Sequence, residues 1–483
     1  MSPFDRRSFL SLAGSAAAGS LLSRSAQAVA TRPNIVFILA DDLGYADLSC
    51  YGRGDLSTPR LDRMAREGVR FLQSYSNSPV CSATRAALMT GRYQYRLRVG
   101  LEEPLRDTAE IGLPPEQPTL PSLLRDAGYR TSLVGKWHLG LLPKFGPLQS
   151  GYESFYGVRG GGVDYYSHVG SGGRKDLWDG DQPLDTQGYF TELLTERALR
   201  QLRTFTRERT PFFLSVHYTA PHWPWEPPGD DSESRRIVGR SLFHYDGGTQ
   251  SVYRQMVEHL DAQVGRLLDA LAQSGAARDT LVIFTSDNGG ERFSNTWPFS
   301  GRKGELLEGG VRVPTLLRWP RAIRAGTTSE QVNVTMDWLS TLLAAAGVAP
   351  DLGAPSDGIN LLPSLAPGAK PVPRKLFWRF KANHQRSVRD GDFKLLKIQN
   401  NVFLFNVVED PLERANLRER HREVFERLKL EWDQWNAAML PELPESLATP
   451  PSGSDVPDRY GTSPPPNSVD DVSSWPGALP AKL

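Results

Sequence analysis

The chain has 483 residues, a formal net charge of +1 and 23% charged residues of both signs. This length allows a large buried core, so we predict one large domain with a smaller appendage. The near-neutral charge argues against nucleic acid or an anionic membrane surface as a partner. Only Cys50 and Cys81 are present, which excludes a fold stapled by several disulfides.

Residues 1–30 have the pattern of an export signal. Arg6 and Arg7 precede a weakly apolar run at 10–22, and small residues typical of signal-peptidase cleavage follow at 26–30. We predict a bacterial twin-arginine signal peptide, read by the twin-arginine (Tat) translocase, and a periplasmic or secreted mature chain. The apolar run is too short to span a bilayer, so no membrane anchor is predicted.

Two apolar segments are followed directly by oxygen-bearing side chains. Residues 34–40 predict a buried parallel strand that ends at Asp41 and Asp42, and residues 280–286 predict another that ends at Asp287 and Asn288. Adjacent strand tips of this kind can converge on one divalent cation. A helix cap or a solvated turn remains the alternative for the Asp pair.

A cysteine lies at a predicted helix start. Residues 58–68 predict a helix and 69–75 a short strand, and a turn then leads to Cys81 and small residues. Arg85 lies one helical turn later and can share its face. The positive end of the helix and Arg85 both predict a lowered thiol pKa at Cys81. The alternative is a buried structural cysteine beside a surface arginine.

Two further residues are candidates for binding an anion. A strand predicted at 129–134, after a helix at 120–127, leads to Lys136 and His138, which would point the same way on an extended segment. A cation beside an imidazole suits an anionic substrate, with surface decoration as the alternative.

Another histidine, His222, lies between prolines after a strand predicted at 211–218. We expect these prolines to fix its imidazole in place. His217, inside the same strand pattern, is predicted to be a core residue.

Residues 151–173 are rich in Gly and Tyr and predict a functional loop rather than a scaffold element. Within it, Asp164 and His168 could bind sugar hydroxyls or form a structural turn. Residues 191–205 and 253–271 predict amphipathic helices. The alternation of strands and helices favours a large, mostly parallel sheet covered by helices on both faces.

The character of the chain changes after Pro363. A helix is predicted at 421–435, and short strands with tight turns are predicted at 376–380, 386–388, 393–398 and 402–405. They indicate a C-terminal α+β subdomain at 366–440, with an antiparallel sheet and a packed helix, after a catalytic domain at 31–365. Residues 441–483 are rich in Pro and Ser and predict an extended or disordered tail.

Taken in order, these motifs resemble those of the formylglycine-dependent sulfatases. The resemblance covers roughly residues 34–435 and rests on Cys81-Ser82-Ala83-Thr84-Arg85, on Gly135-Lys136-Trp137-His138-Leu139-Gly140, and on Gly301-Arg302-Lys303-Gly304-Glu305. It implies an alkaline-phosphatase-like α/β fold, with a large mixed, mostly parallel sheet between helices. The commoner form of the first motif has Pro where this chain has Ala83.

The resemblance also implies a cofactor and a set of site residues. Cys81 would be converted to formylglycine (3-oxoalanine) by a maturation enzyme, and the hydrate would be the nucleophile. One calcium ion would be held by residue 81 together with Asp41, Asp42, Asp287 and Asn288. The residues implied to contact or transform the sulfate ester are Arg85, Lys136, His138, His222 and Lys303.

In the implied mechanism, Asp287 acts as the base for attack on sulfur. Lys303 or His222 gives a proton to the leaving alcohol, and His138 takes a proton as sulfate is eliminated. The loop at 151–173 and the residues Trp223, Trp225 and Trp297 favour a sulfated carbohydrate substrate, with aryl sulfates as simple analogues. Two alternatives stay open: a phosphonate or phosphate ester hydrolase of the same superfamily, and a sulfated-glycan binder in which Cys81 is unmodified.

Overall fold

The computed structural model describes residues 32–240, 242 and 246–442. The predicted signal peptide at 1–30 lies outside the described residues, and so does the predicted tail from residue 443 onward. Within the described ranges, no helix combines the length and the apolar character needed to cross a membrane.

Most strands belong to one mixed sheet. The strands are β1 (Asn34–Ala40), β2 (Val69–Phe71), β3 (Ser74–Tyr75), β4 (Arg130–Lys136), β5 (Ser154–Val158), β6 (Trp178–Asp179), β7 (Gln182–Pro183), β8 (Phe212–His217), β9 (Thr280–Ser286), β10 (Thr315–Arg318), β11 (Thr327–Ser329), β12 (Asn333–Val334), β13 (Lys375–Phe380), β14 (Gln385–Asp390), β15 (Phe393–Ile398) and β16 (Asn401–Asn406). In the described part of the chain, ten of them pair in the order β11-β2-β10-β9-β1-β8-β4-β5-β6-β7. The central strands from β9 to β5 are parallel, whereas β10 joins β9 antiparallel. The predicted large, mixed, mostly parallel sheet is confirmed.

The centre of the sheet follows from its apolar sequence. β1 lies between β8 and β9 and is buried beyond its first residue. Its side chains alternate between the two faces, so Val36 and Ile38 join one core cluster while Ile35 and Phe37 join another. A strand buried on both faces requires a layer of helices on each side.

Helices provide these two layers. The α-helices are α1 (Pro59–Arg66), α2 (Cys81–Thr90), α3 (Leu120–Asp126), α4 (Phe190–Glu208), α5 (Ser232–Ile237), α6 (Gln250–Gln273), α7 (Glu308–Val311), α8 (Asp337–Ala346) and α9 (Arg422–Ala437). α4 and α6 cover one face through Leu202 and Leu260. α3 and α8 cover the opposite face through Leu124 and Leu342. The alkaline-phosphatase-like arrangement is therefore present.

A second, four-stranded antiparallel sheet follows, in the order β13-β14-β15-β16. α9 packs on one side of it, where Leu428 and Trp432 contact Val388. On the other side, Trp378 packs with Tyr75 of the main body. This confirms the predicted antiparallel sheet with a packed helix, whereas the domain boundaries at 365 and 440 stay predictions.

Two predicted segments differ in the structure. Residues 69–75 form two separate strands, because β2 lies in the main sheet while β3 pairs with β12. The loop expected at 151–173 is wrong at its start, because β5 pairs with β4 in the main sheet. The strand was not predicted because glycine is uncommon in strands and was read as a loop signal. Here Gly157 is needed for close packing, since a Cβ at this position would lie 2.0 Å from the Gly135 carbonyl oxygen.

Candidate active site

The predicted site residues lie at one edge of the main sheet, where its central strands end. β1 is followed by Asp41 and Asp42, and β9 is followed by Asp287. The register pairs Ala40 with Ser286, so the two strand tips lie side by side. The Asp42 amide donates to Oδ1 of Asp287 over 3.3 Å. The structure thus brings the two carboxylate-bearing tips together.

β4 and β8 bring a cation and an imidazole to the same edge. Lys136 is the last residue of β4, and its buried Nζ lies 2.5 Å from Oδ2 of Asp41. Beyond β8, Nε2 of His222 lies 3.6 Å from Oδ2 of Asp42. The Nδ1 atom of His222 lies 2.6 Å from the Trp223 carbonyl oxygen, so Nδ1 is assigned the proton and donates to it.

Arg85, on α2, lies between the carboxylates. Its Nη2 lies 2.8 Å from Oδ2 of Asp287 and 3.3 Å from Oδ2 of Asp41. Its Nη1 donates to the Lys136 carbonyl oxygen over 3.0 Å and lies 3.4 Å from Nδ1 of His217. Burial alone would lower the pKa of Arg85, but the carboxylates of Asp287 and Asp41 outweigh this effect and raise the pKa above its ordinary value. Arg85 is therefore a permanent cation here. His217 is buried, as predicted for a core residue, and supports Arg85.

Cys81 begins α2 and is 3% exposed. Its Sγ and one carboxylate oxygen each of Asp41 and Asp287 lie within 4.8 Å of one another. The lowered thiol pKa expected from the sequence is wrong: burial raises the pKa of Cys81, and the opposing effect of Lys136 does not overcome it. The guanidinium of Arg85 is already paired with carboxylates, which limits its effect on the thiol.

Lys303 reaches the cluster from the loop that follows β9. Its Nζ lies 2.8 Å from Oδ2 of Asp42 and 3.4 Å from Oε1 of Glu291. Burial acts to lower the pKa of Lys303, but these two carboxylates hold it well above its ordinary value. Glu291 was missed by sequence reasoning. The available signal was its place in the same strand-tip segment, three residues after Asn288.

His138 follows Lys136 by two residues in the chain. Its φ of 55° shows that the chain turns after β4, so the extended geometry expected for Lys136 and His138 is wrong. Nε2 lies 2.8 Å from the Leu105 carbonyl oxygen and is therefore assigned the proton, while no described residue hydrogen-bonds the buried Nδ1. Burial, reinforced by Lys136, lowers the pKa of His138 well below its ordinary value. A Cβ at Gly161 would lie 2.7 Å from Nε2, so only glycine fits against the ring.

The carboxylate cluster fits a hard divalent cation. Oδ1 of Asp41 and Oδ1 of Asn288 are buried oxygens to which no described residue donates a hydrogen bond. Burial raises the pKa of Asp42 and of Asp287 to about 7, and nearby carboxylates add to that effect. A divalent cation could be coordinated by these two oxygens and would neutralise part of the buried negative charge. Calcium prefers such carboxylate and amide oxygens.

Residues 33–348, more than half of the chain, match the protein-family model described as Sulfatase. This chain belongs to the sulfatase family. It is 34% identical to N-acetylgalactosamine-6-sulfatase from Mus musculus over 385 residues, covering 75% of this chain and 71% of that protein. It is 36% identical to arylsulfatase A from Homo sapiens over 387 residues, covering 73% and 71%. A solved structure, Ps i-CgsB in complex with k-i-k-neocarrahexaose, is similar with a TM-score of 0.77 and 28% identity over 89% of this chain and 97% of that chain. These matches make the protein a sulfuric ester hydrolase.

The sequence left two roles open for Asp164 and His168 of this sulfatase, sugar binding and a structural turn. Asp164 is buried, and its Oδ1 accepts hydrogen bonds from the amides of Tyr166 and Ser167 over 2.9 and 2.7 Å. His168 is also buried, with Nε2 lying 3.0 Å from the Gly188 carbonyl oxygen. These contacts favour the structural turn over sugar binding.

The three tryptophans of the sulfatase differ in what they can contact. Trp225 is buried at 2% exposure and is not available to a ligand. Trp223 is half-buried, and its ring centroid lies 4.3 Å from that of His222. Trp297 is 64% exposed and lies between Asn288 and Lys303 in the chain. Trp223 and Trp297 are therefore accessible to a ligand, and Trp225 is not.

Proposed function

We propose that this sulfatase hydrolyses sulfate monoesters of a carbohydrate, with a formylglycine at position 81 and one calcium ion. The observation that carries the proposal is that Cys81 and three cations adjoin the same aspartate cluster at the edge of the main sheet. Arg85 and Lys136 are buried, and Lys303 is partly buried. Preorganised charge of this kind is usually the largest contribution to catalysis on an anionic ester.

The three cations would bind the sulfate group. Each is wholly or partly buried and holds its charge, because adjacent carboxylates raise its pKa. Formylglycine, once hydrated, would supply a hydroxyl nucleophile, and calcium held by Asp41, Asp42, Asp287 and Asn288 would offset the carboxylates. With calcium neutralising the carboxylates, the three cations would be available to bind the sulfate ester.

The remaining residues would move protons. His138 exposes the lone pair of Nδ1, because Nε2–H is committed to the Leu105 carbonyl oxygen, so His138 is suited to accept a proton. Nζ of Lys303 lies at Asp42 and carries a proton that it can deliver to the leaving oxygen. Nε2 of His222 also lies at Asp42, but burial keeps the pKa of His222 low and its proton is on Nδ1, so Nε2 could deliver a proton only after accepting one. Asp287 would serve as the base toward residue 81.

A sulfated carbohydrate is the proposed substrate class, and aryl sulfates would serve as simple analogues. Two relatives support it through their names: one is an N-acetylgalactosamine-6-sulfatase, and another was solved with a neocarrahexaose. Trp223 beside His222 supplies an aromatic surface on which a sugar can lie.

We also propose that the protein is exported by the Tat translocase to the periplasm or beyond. The support is the Arg6-Arg7 pattern and the cleavage-site residues at 26–30. A formylglycine-generating enzyme that accepts Ala83 would have to act before export.

The deciding experiment is mass spectrometry of the peptide that carries residue 81, from protein purified from its own source. A mass loss matching thiol-to-aldehyde conversion, with turnover of aryl sulfates and a panel of sulfated sugars, is the expected result. An intact thiol together with glycan binding would indicate a binding protein. Faster turnover of a phosphonate ester or a phosphate diester than of any sulfate would instead favour the phosphonate or phosphate ester hydrolase.

A further inference from the structure

The C-terminal sheet reaches the lysine loop of the active site through one buried side chain. Gln385, the first residue of β14, is 2% exposed. Its Nε2 donates to the Gly304 carbonyl oxygen over 2.9 Å, and its Oε1 accepts from the Leu306 amide over 2.8 Å. The amide of Gln385 therefore spans both ends of the short turn that directly follows Lys303.

The same turn is held from two other directions. The Gly304 amide donates to the Pro79 carbonyl oxygen over 3.0 Å, two residues before Cys81. The Lys303 amide donates to the Gly290 carbonyl oxygen over 3.1 Å, two residues after Asn288. The backbone at 303–306 is thus held at three places: by Pro79 before Cys81, by Gly290 after Asn288, and by the side chain of Gln385.

The turn that precedes Gln385 is itself firmly held. Asn383 and His384 adopt φ values of 55° and 46°, which non-glycine residues rarely do in succession. The Lys381 amide donates to Oε2 of Glu103 over 3.1 Å. Glu103 lies two residues before Leu105, whose carbonyl oxygen contacts His138. The turn from 381 to 385 therefore extends from the support of His138 to the loop of Lys303.

We infer that Gln385 is a positioning residue for Lys303, through which the C-terminal sheet completes the active site. The inference rests on the proposed function in one respect, namely that Lys303 contacts the sulfate ester. Without Gln385, the Gly304 carbonyl and the Leu306 amide lose their buried partners, and the turn must move to find new ones. Nζ of Lys303 would move with it, away from Asp42 and the ester.

The test uses two substitutions and a matched control. Gln385→Ala removes both hydrogen bonds to the turn, together with the one that Nε2 donates to the Ala382 carbonyl oxygen over 3.1 Å. Gln385→Met does so with nearly the same volume, should the alanine variant fold poorly. Gln331→Ala is the control, because Gln331 is also buried and its amide bridges the Val332 carbonyl and both backbone polar groups of Val372. Gln331 lies outside the site described above.

We expect Gln385→Ala and Gln385→Met to lower kcat/KM for an aryl sulfate by about 10- to 100-fold, the range typical of a misplaced catalytic group. Gln331→Ala should leave kcat/KM unchanged at a similar loss of Tm. In the Lys303→Ala background, Gln385→Ala should add almost no further loss, because its effect passes through Lys303. Equal losses in both backgrounds would overturn the assignment.

Hydrogen exchange separates this assignment from the proposed function. The peptide covering 302–308 should exchange faster in Gln385→Ala and at the wild-type rate in Gln331→Ala. Unchanged exchange in Gln385→Ala would overturn the positioning role even in an active enzyme. Conversely, a wild-type protein that carries formylglycine but turns over no sulfate ester would contradict the proposed function, while the exchange result would still decide the role of Gln385.

Discussion

Arg85 and Asp287, 202 residues apart in the chain, form a buried ion pair in which Nη2 and Nε lie 2.8 and 3.1 Å from the same carboxylate oxygen. The pair joins the first turns of α2, which carries Cys81, to the tip of β9. Both side chains are at most 1% exposed. The helix that carries Cys81 and the strand tip that carries Asp287 are therefore fixed relative to each other by charge as well as by the sheet.

Replacing Arg85 by leucine should cost both stability and activity. The change leaves Asp287 buried without its cation, so we expect the free energy of unfolding to fall by about 3–5 kcal/mol. Urea denaturation in the presence of EDTA measures this. The control is Arg60→Ala, which removes a half-exposed ion pair with Asp269 and should change stability by less than about 1 kcal/mol. Equal effects of the two substitutions would contradict the expectation.

Calcium should stabilise the folded protein, and chelation should abolish sulfatase activity. At a calcium concentration of 100 times Kd, linkage predicts an added stability of about 2.7 kcal/mol, measurable as a rise in Tm over EDTA-treated protein. Asp41→Asn and Asp42→Asn should lose most of this rise. Asp337→Asn should keep it, because Asp337 is a buried aspartate paired with Arg374 outside the cluster. A rise of the same size in Asp41→Asn would exclude the proposed cation site.

Lys394 should be essential for joining the C-terminal sheet to the main body. Its Nζ lies 3.0 Å from Oε1 of Glu308 and 3.0 Å from Oε1 of Glu413, and all three side chains are buried. Lys394→Met leaves two carboxylates without their shared cation, so we expect a loss of about 3–5 kcal/mol in urea denaturation. Lys397→Met, on the same strand but partly exposed, is the matched control and should have little effect.

Glu226 should make the stability of the protein decrease as pH rises. Burial, with the nearby Asp164 carboxylate, raises the pKa of Glu226 from 4.5 to about 9. Its carboxyl lies within hydrogen-bonding reach of the Asp164 carboxylate, so the protonated form of Glu226 can donate to Asp164. A raised carboxyl pKa means that the folded state binds a proton that the unfolded state releases, so its stabilising effect is complete below about pH 4.5 and lost towards pH 9.

The variant Glu226→Gln should flatten this dependence. Its amide can donate where the protonated carboxyl did, and its oxygen can still accept from the Tyr165 amide. We expect the variant to be more stable than wild type at about pH 8 and nearly equal at about pH 5, by urea denaturation across that range. Parallel curves for the two proteins would show that Glu226 does not titrate between these values.

Local sequence patterns were sufficient to predict the strand tips and the placement of Asp41 and Asp287, because a continuous apolar run followed by aspartate is a local signal. The same reasoning missed β10 and α8. β10 is four residues long, and α8 is apolar on nearly all sides, so neither has a clear period. The secondary structure of such segments is determined by packing against the rest of the core rather than by their own sequence pattern.

Contacts between distant segments were beyond local reasoning. The pKa of Cys81 depends on complete burial, and nothing within one helical turn reveals it. Gln385 carries no motif, and its contact with the loop of Lys303 exists only once the C-terminal sheet has packed on the main body. Glu291 was visible as an acidic residue, but its contact with Lys303 was not.

Every residue of α2, from Cys81 to Thr90, is buried. The proposed maturation enzyme would have to reach Cys81 before α2 is packed, because the finished fold buries this residue. On that proposal, modification would fall in the interval between synthesis and the packing of α2 onto the sheet. With the proposed export of the folded chain, that interval would close in the cytoplasm. The fraction of active molecules would then depend on the relative rates of oxidation and folding, and slower folding would raise it.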